Sequence, residues 1–185
     1  MHRNNDAYRS TSIMSFFLIT INPTNMRTII LIGFLFFSAA KGFSQAPVEN
    51  GIIYITHPYI DVVNKSIKAY LEKDMATNTE IFADTAKFWV SGMEKPIPIA
   101  DAFKEWATDF DYYDSITVKP FGYPDYLAYE KENAKVVQSW WRWTGKSKKT
   151  GETIKIDFVQ FDDFNSAGKI ERELIYGDFS KIVKE

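Results

Sequence analysis

The chain has no cysteine and only two histidines, His2 and His57, in 185 residues. Without cysteine there are no disulfides, no thiol nucleophile, no cysteine-held zinc and no lipid-modified cysteine; export is still open, because many exported domains lack disulfides. With so few histidines, carboxylates are almost the only metal donors left, so neither a metal nor another cofactor is expected. No glycine-rich loop of phosphate-cradling spacing is present. There is no basic excess either: the formal charge is -2, which argues against a nucleic-acid partner. Nor is there an apolar run of the ~20 residues that a membrane-spanning helix needs.

What is present begins with an N-terminal leader. Met26-Arg27 precedes "TIILIGFLFFSAA", Thr28 to Ala40. A basic start, an apolar stretch and small residues at its end describe a secretory signal over residues 26–45, cut after Ala40 or after Gln45. Residues 1–25 read as a disordered upstream extension, and Met26 as the natural start. Removing residues 1–45 removes four basic residues and one acidic residue, which leaves 18 basic and 23 acidic and a net charge of -5. An exported domain over 46–185 is expected, with no membrane attachment after cleavage.

In that domain the periodicity changes partway along. Ile60, Val63, Ile67 and Tyr70/Leu71 recur in steps of three and four, which predicts a helix over 57–74. Thr56 is its expected N-cap, Pro58 suits its first turn, and His57 reads as a surface or capping residue. A short helix is predicted over 76–82, then a strand ending at Gly92, a proline-broken "EKPIPI", and a third helix over 100–116. Phe103, Trp106, Phe110 and Tyr113 fall on one face of that helix. Strands follow over 116–121, 126–130, 136–145, 153–161 and 169–177, joined by "KSKKTGE" and "DDFNSAG" as hairpin loops. The fold class is α+β: three N-terminal helices packed on a curved antiparallel sheet, with a cone-shaped cavity between the layers.

Four stretches carry a family resemblance: "FADTAKFWVSG" (82–92), "AFKEW" (102–106), "SWWRWTGK" (139–146) and "IDFVQFDDFNSAGKIERELIYGD" (156–178). In order and spacing they resemble the nuclear transport factor 2-like superfamily, especially its SnoaL-like and ketosteroid-isomerase-like branches, over residues 57–180. The resemblance implies an αβ cone with a pocket on the concave face of the sheet and a homodimer through the outer face. The superfamily holds isomerases, cyclases, dehydratases, hydrolases and binding modules, so it implies no single activity.

The resemblance also nominates site residues. Asp157 matches the isomerase branch's neutral aspartic acid, which donates a hydrogen bond to a substrate oxyanion. Side chains alternate along a strand, so Asp157 shares a face with Val159 and Phe161, while Ile156, Phe158 and Gln160 share the other. Both faces are apolar and alternation does not decide between them, but the resemblance puts Asp157 on the cavity face, as a ligand-binding residue. Glu173 matches a cavity-lining position on the last strand, from which it could pair with Asp157 as acid and base. The branch's general base would stand at Val90, and its first-helix tyrosine at Ser66 with Tyr70 one turn on; neither Val90 nor Ser66 can do that chemistry. Tyr70, Phe88, Val90, Trp106, Trp141 and Trp143 are the expected ligand-lining residues, while Trp140 and Arg142 face a dimer surface. The expected function is binding of a small apolar or aromatic ligand. The alternatives are an acid–base enzyme using Asp157 with Glu173, an isomerase, dehydratase or cyclase, and a dimeric protein-interaction module.

Overall fold

The computed structural model describes residues 48–182; the predicted extension and signal, residues 1–45, lie outside them. Helix α1, Pro58–Leu71, starts at His57, whose backbone is extended and whose ring nitrogen Nδ1 accepts the N–H of Tyr59 at 3.2 Å. The cap is therefore His57 rather than Thr56, one residue later than expected, and Pro58 opens the first turn, where its missing N–H costs nothing. Ile60, Val63, Ser66, Ala69 and Tyr70 form the buried face. Helix α2, Met75–Ile81, is capped by Asp74, which accepts from the Thr77 N–H at 3.0 Å. Helix α3, Ile99–Tyr112, ends without a loop: Tyr113 opens the next strand instead of closing the helix face, and packs edge-on to Trp143 at 5.2 Å.

Among the described residues eight strands form one sheet: β1 (Ile52–Tyr54), β2 (Phe82–Val90), β3 (Ile97–Pro98), β4 (Tyr113–Pro120), β5 (Asp125–Ala128), β6 (Lys135–Ser147), β7 (Thr153–Phe164) and β8 (Ile170–Gly177). The order is β1-β5-β6-β7-β8-β2-β3, and β4 pairs with the C-terminal half of β6 while β5 pairs with its N-terminal half. Strand β1 was not legible in the sequence, because three exposed residues show no burial alternation.

The sheet is mixed rather than antiparallel. Strands β2 and β8 run parallel, with Phe88 beside Glu173 and Val90 beside Ile175. The reason is connectivity: a tight hairpin forces antiparallel neighbours, but the long stretch between β2 and β8 leaves direction free. The rest of the meander is antiparallel as expected. Its centre is the β6–β7 hairpin, in continuous register from Val136 opposite Asp163 to Lys146 opposite Thr153. Ser115, at φ 55°, marks a bulge where β4 carries one residue more than its partner.

Register decides which side chains meet. On β6, Val137, Ser139, Trp141 and Trp143 point to the helices and are buried; on β7, Ile156, Phe158, Gln160, Asp162 and Phe164 do the same. The opposite face carries Trp140, Arg142, Asp157, Val159 and Phe161. The core is aromatic: Phe82, Phe88, Phe103, Tyr113, Trp141, Trp143 and Phe158 are all buried between sheet and helices.

Candidate functional site

A cavity of about 450 Å³ lies between the inner face of the sheet and helices α1 and α3. Its walls are mostly apolar: Phe88 and Val90 from β2, Val118 from β4, Trp143 from β6, Phe158 from β7 and Ile175 from β8, closed by Trp106 of α3 and by Phe179 and Ile182 beyond β8. The aromatic walls brace one another. Trp106 meets Phe88 edge-on at 5.6 Å and Phe103 at 5.3 Å, so its ring is held by packing rather than by the cavity's contents.

Polar groups reach the cavity at two places. On the helix side, the Tyr70 hydroxyl donates to Asp109 Oδ2 at 2.8 Å and accepts the Trp143 indole N–H at 3.0 Å. Burial, and then the negative charge of Asp109, hold the Tyr70 hydroxyl well above its usual range, so it stays a neutral phenol. Glu105 lies one helical turn before Asp109 and also lines the cavity.

On the sheet side, Gln160 and Glu173 line the wall and Asp162 lies behind them. The Gln160 amide donates to Asp162 Oδ2 at 2.9 Å and to Glu173 Oε2 at 3.2 Å. Asp162 and Glu173 stand directly opposite each other across β7 and β8 and are almost wholly buried. Burial disfavours both negative charges, and each carboxyl feels the other across the two strands. Glu173 is pushed up by burial first and then by the charge of Asp162. The pair therefore keeps a proton at neutral pH, with Glu173, on the cavity wall, well above its ordinary range. Among the described residues Asp162 Oδ1 has no hydrogen-bond partner.

Six of the sequence-predicted residues come together here: Tyr70, Phe88, Val90, Trp106, Trp143 and Glu173. Two do not. Trp141 is inward and buried, but it is absorbed by the core, with its indole N–H on Ser139 Oγ at 2.8 Å, and it does not line the cavity. Asp157 faces the other way. Its carboxylate takes both Arg142 Nε at 2.5 Å and Nη2 at 2.7 Å on the outer face, with about half of each side chain exposed. The Arg142 hydrogen bonds hold Asp157 below the ordinary carboxylate range, the opposite of the neutral acid expected there. The error is one of parity. Gln160, three residues on, has the inward direction, and an odd step along a strand always changes face.

Sequence reasoning missed Gln160, Asp162 and Asp109 as site residues. A signal for the first two was present: Ile156, Phe158 and Phe164 alternate with them on one face, and the "FNSAGKI" turn sets the hairpin. Asn165 accepts from Ala167 N at 2.9 Å and from Lys169 N at 3.1 Å, which brings Asp162 opposite Glu173. Asp109 could have been read from its place three residues after Trp106 on the same helix. Among the described residues no cluster of three or more acidic, histidine or cysteine side chains could hold a metal, and no helix is long and apolar enough to cross a membrane.

No protein-family model and no curated protein sequence matches the chain. Solved structures do. IdmH from Streptomyces antibioticus, assigned as a polyketide cyclase, matches with a TM-score of 0.55 at 14% identity, covering 66% of this chain and 93% of its own. A protein from Jannaschia sp. CCS1, assigned as a SnoaL-like polyketide cyclase, matches with a TM-score of 0.55 at 11% identity, over 74% of this chain and 93% of its own. SalBIII, described as an epoxide hydrolase/cyclase-like enzyme of pyran ring formation in salinomycin, gives 0.52 at 16% identity, over 66% and 92%. At these identities the likeness is one of fold.

Proposed function

We propose that this chain, which has the SnoaL-like form of the nuclear transport factor 2-like fold, is an exported domain that binds a small, largely apolar molecule in its cavity. The observation that carries this reading is the cavity itself: about 450 Å³, within the range of small-molecule sites, with aromatic walls and a few converging polar groups. The signal-like segment over 26–45 supports export. The names of the structural neighbours, two assigned as polyketide cyclases and one called cyclase-like, support a cyclic or polycyclic ligand body. The test is a neutral fluorescent probe. Nile red added to the full chain gains blue-shifted emission, and Val90→Trp, which fills the cavity, weakens that binding at least about tenfold. Unchanged binding by the filled variant would sink the reading.

A second reading, an acid–base enzyme, is favoured by the Glu173–Asp162 pair. A neutral carboxyl on a cavity wall can donate a proton to a ligand oxygen, and the buried carboxylate behind it can receive the next one. Asp162 takes the part first given to Asp157. Glu173→Gln keeps the hydrogen bonds but removes the proton. With 2-tetralone in D2O, the wild type exchanges the α-protons above the buffer rate and the variant does not; equal rates for the two refute a catalytic Glu173. A homodimer through the outer sheet face remains part of the proposal. Trp89, Trp140, Val159, Phe161, Leu174 and Tyr176 gather there, and the Trp89 and Tyr176 rings lie 5.2 Å apart.

A further inference from the structure

Four side chains that line the cavity spend their hydrogen-bond donors inside the protein. The Ser66 hydroxyl donates to Asn78 Oδ1 at 2.9 Å, the Trp143 indole N–H to the Tyr70 hydroxyl, that hydroxyl to Asp109, and the Gln160 amide nitrogen to both buried acids. Gln160 is only 2% exposed, so the direction of its amide matters. The acids fix that direction: turned over, the amide would set its carbonyl oxygen against Asp162 Oδ2 in place of a donor. With Nε2 drawn back to Asp162, behind the wall, Oε1 is the remaining polar atom of the amide, and among the described residues no donor is bound to it.

We propose that the ligand is a flat ring system carrying a neutral hydrogen-bond donor, an N–H or O–H, that binds Gln160 Oε1, and that Gln160 selects it over rings of the same shape without a donor. This rests on the small-molecule reading above and names the ligand class for the same site. A ligand that fills the cavity excludes solvent from the Gln160 carbonyl. A donor on the ligand takes the place of that solvent. A ligand without one leaves a buried acceptor unpaired, which costs more than the bond itself contributes. A site built to bond an N–H or O–H therefore rejects the analogue lacking it far more strongly than an apolar pocket rejects a missing methyl group. Nor can the amide turn to serve a ligand that only accepts, because turning would break both of its bonds to Asp162 and Glu173. The rings of Phe88, Trp106, Trp143 and Phe158 around the cavity suit a flat aromatic body to carry the donor.

Three neutral probes of one shape test this. Indole has a ring N–H, 1-methylindole has the same rings with the donor blocked, and benzofuran has an acceptor oxygen in its place; each is titrated calorimetrically into the full chain. Indole is expected to bind about tenfold or more tighter than either of the others. Gln160→Met keeps the length of the side chain and removes its carbonyl, and should reduce that advantage to about threefold or less. Should the variant fail to fold, the order of the three probes on the wild type still decides the ligand class. Benzofuran or 1-methylindole binding as tightly as indole, or an indole advantage that survives Gln160→Met, overturns the proposal while leaving the cavity reading intact. No binding by any of the three also overturns it, and the Nile red result then decides the cavity reading on its own.

Discussion

Strand β7 carries acidic side chains on both faces, and the faces treat them in opposite ways. Outside, Asp157 meets Arg142 across β6 and β7, and Asp163 meets Arg172 across β7 and β8. Each carboxylate there has a cation and a share of solvent, and Asp157 is held ionised. Inside, Asp162 meets Glu173 with no cation among the described residues and the amide of Gln160 between them. The strands and the residue types are the same; solvent and partner differ. An exposed pair of opposite charges adds little to stability. A buried pair of like acids must keep a proton, and that proton makes the inner face chemically interesting.

The largest expected effect breaks the inner pair. Gln160→Leu removes the donor shared by both carboxyls and leaves them short of hydrogen bonds in the core. The expected cost is roughly 3 kcal/mol in urea unfolding; a loss indistinguishable from zero would show that the amide does not hold the pair together.

Next is the pH dependence of stability. Asp162 is raised from 3.8 to about 7, with burial the first cause. A raised carboxyl binds its proton more tightly folded than unfolded. Its stabilising contribution is therefore full below about pH 4 and lost as pH rises towards 7, at up to about 1.4 kcal/mol per pH unit for each such group. Glu173, pushed up by burial and by the charge of Asp162, adds a decline of the same sign. In Glu173→Gln the decline above about pH 5 should flatten, which thermal unfolding across pH 4–8 measures; an identical slope in wild type and variant would mean that the buried pair does not hold the proton.

The smallest effect on the cavity comes from the outer face. Asp157→Arg sets two like charges beside each other in the apolar surface around Trp140 and Tyr176. Nile red affinity is expected to stay within about twofold, because the substituted side chain lies across the sheet from the cavity. In sedimentation velocity the wild type should run as a dimer and the variant as a monomer. A wild-type monomer at high concentration rules out the dimer, and a lost affinity would mean that the two faces are coupled.

Much of this was legible in the residues. Steps of three and four in "YIDVVNKSIKAYL" gave α1, and "AFKEW" put Trp106 on the inner side of α3. The alternation in "VVQSWWRWTG" separated Trp143 from Trp140. Asp157 was misread because both faces of β7 are apolar, the inner one against the core and the outer one around Val159 and Phe161, so hydrophobicity carried no direction. Trp141 was misread for a related reason: a tryptophan pointing inward fills space equally well in the core and at a cavity wall, and only the neighbours decide which. The β2–β8 pairing left no local trace, since parallel neighbours far apart in the chain share no turn.

The sequence by itself determined the periodicities, and with them the helices, the long hairpin and the inventory of acids and aromatics, because local spacing sets which side chains share a face. The tertiary structure alone decided which acid keeps a proton. That depends on the register that sets Asp162 against Glu173 and Asp157 against Arg142, and on which side of the sheet the helices cover. Protonation follows from the local solvent and the nearest charge, and neither is a property of the residue that carries the group.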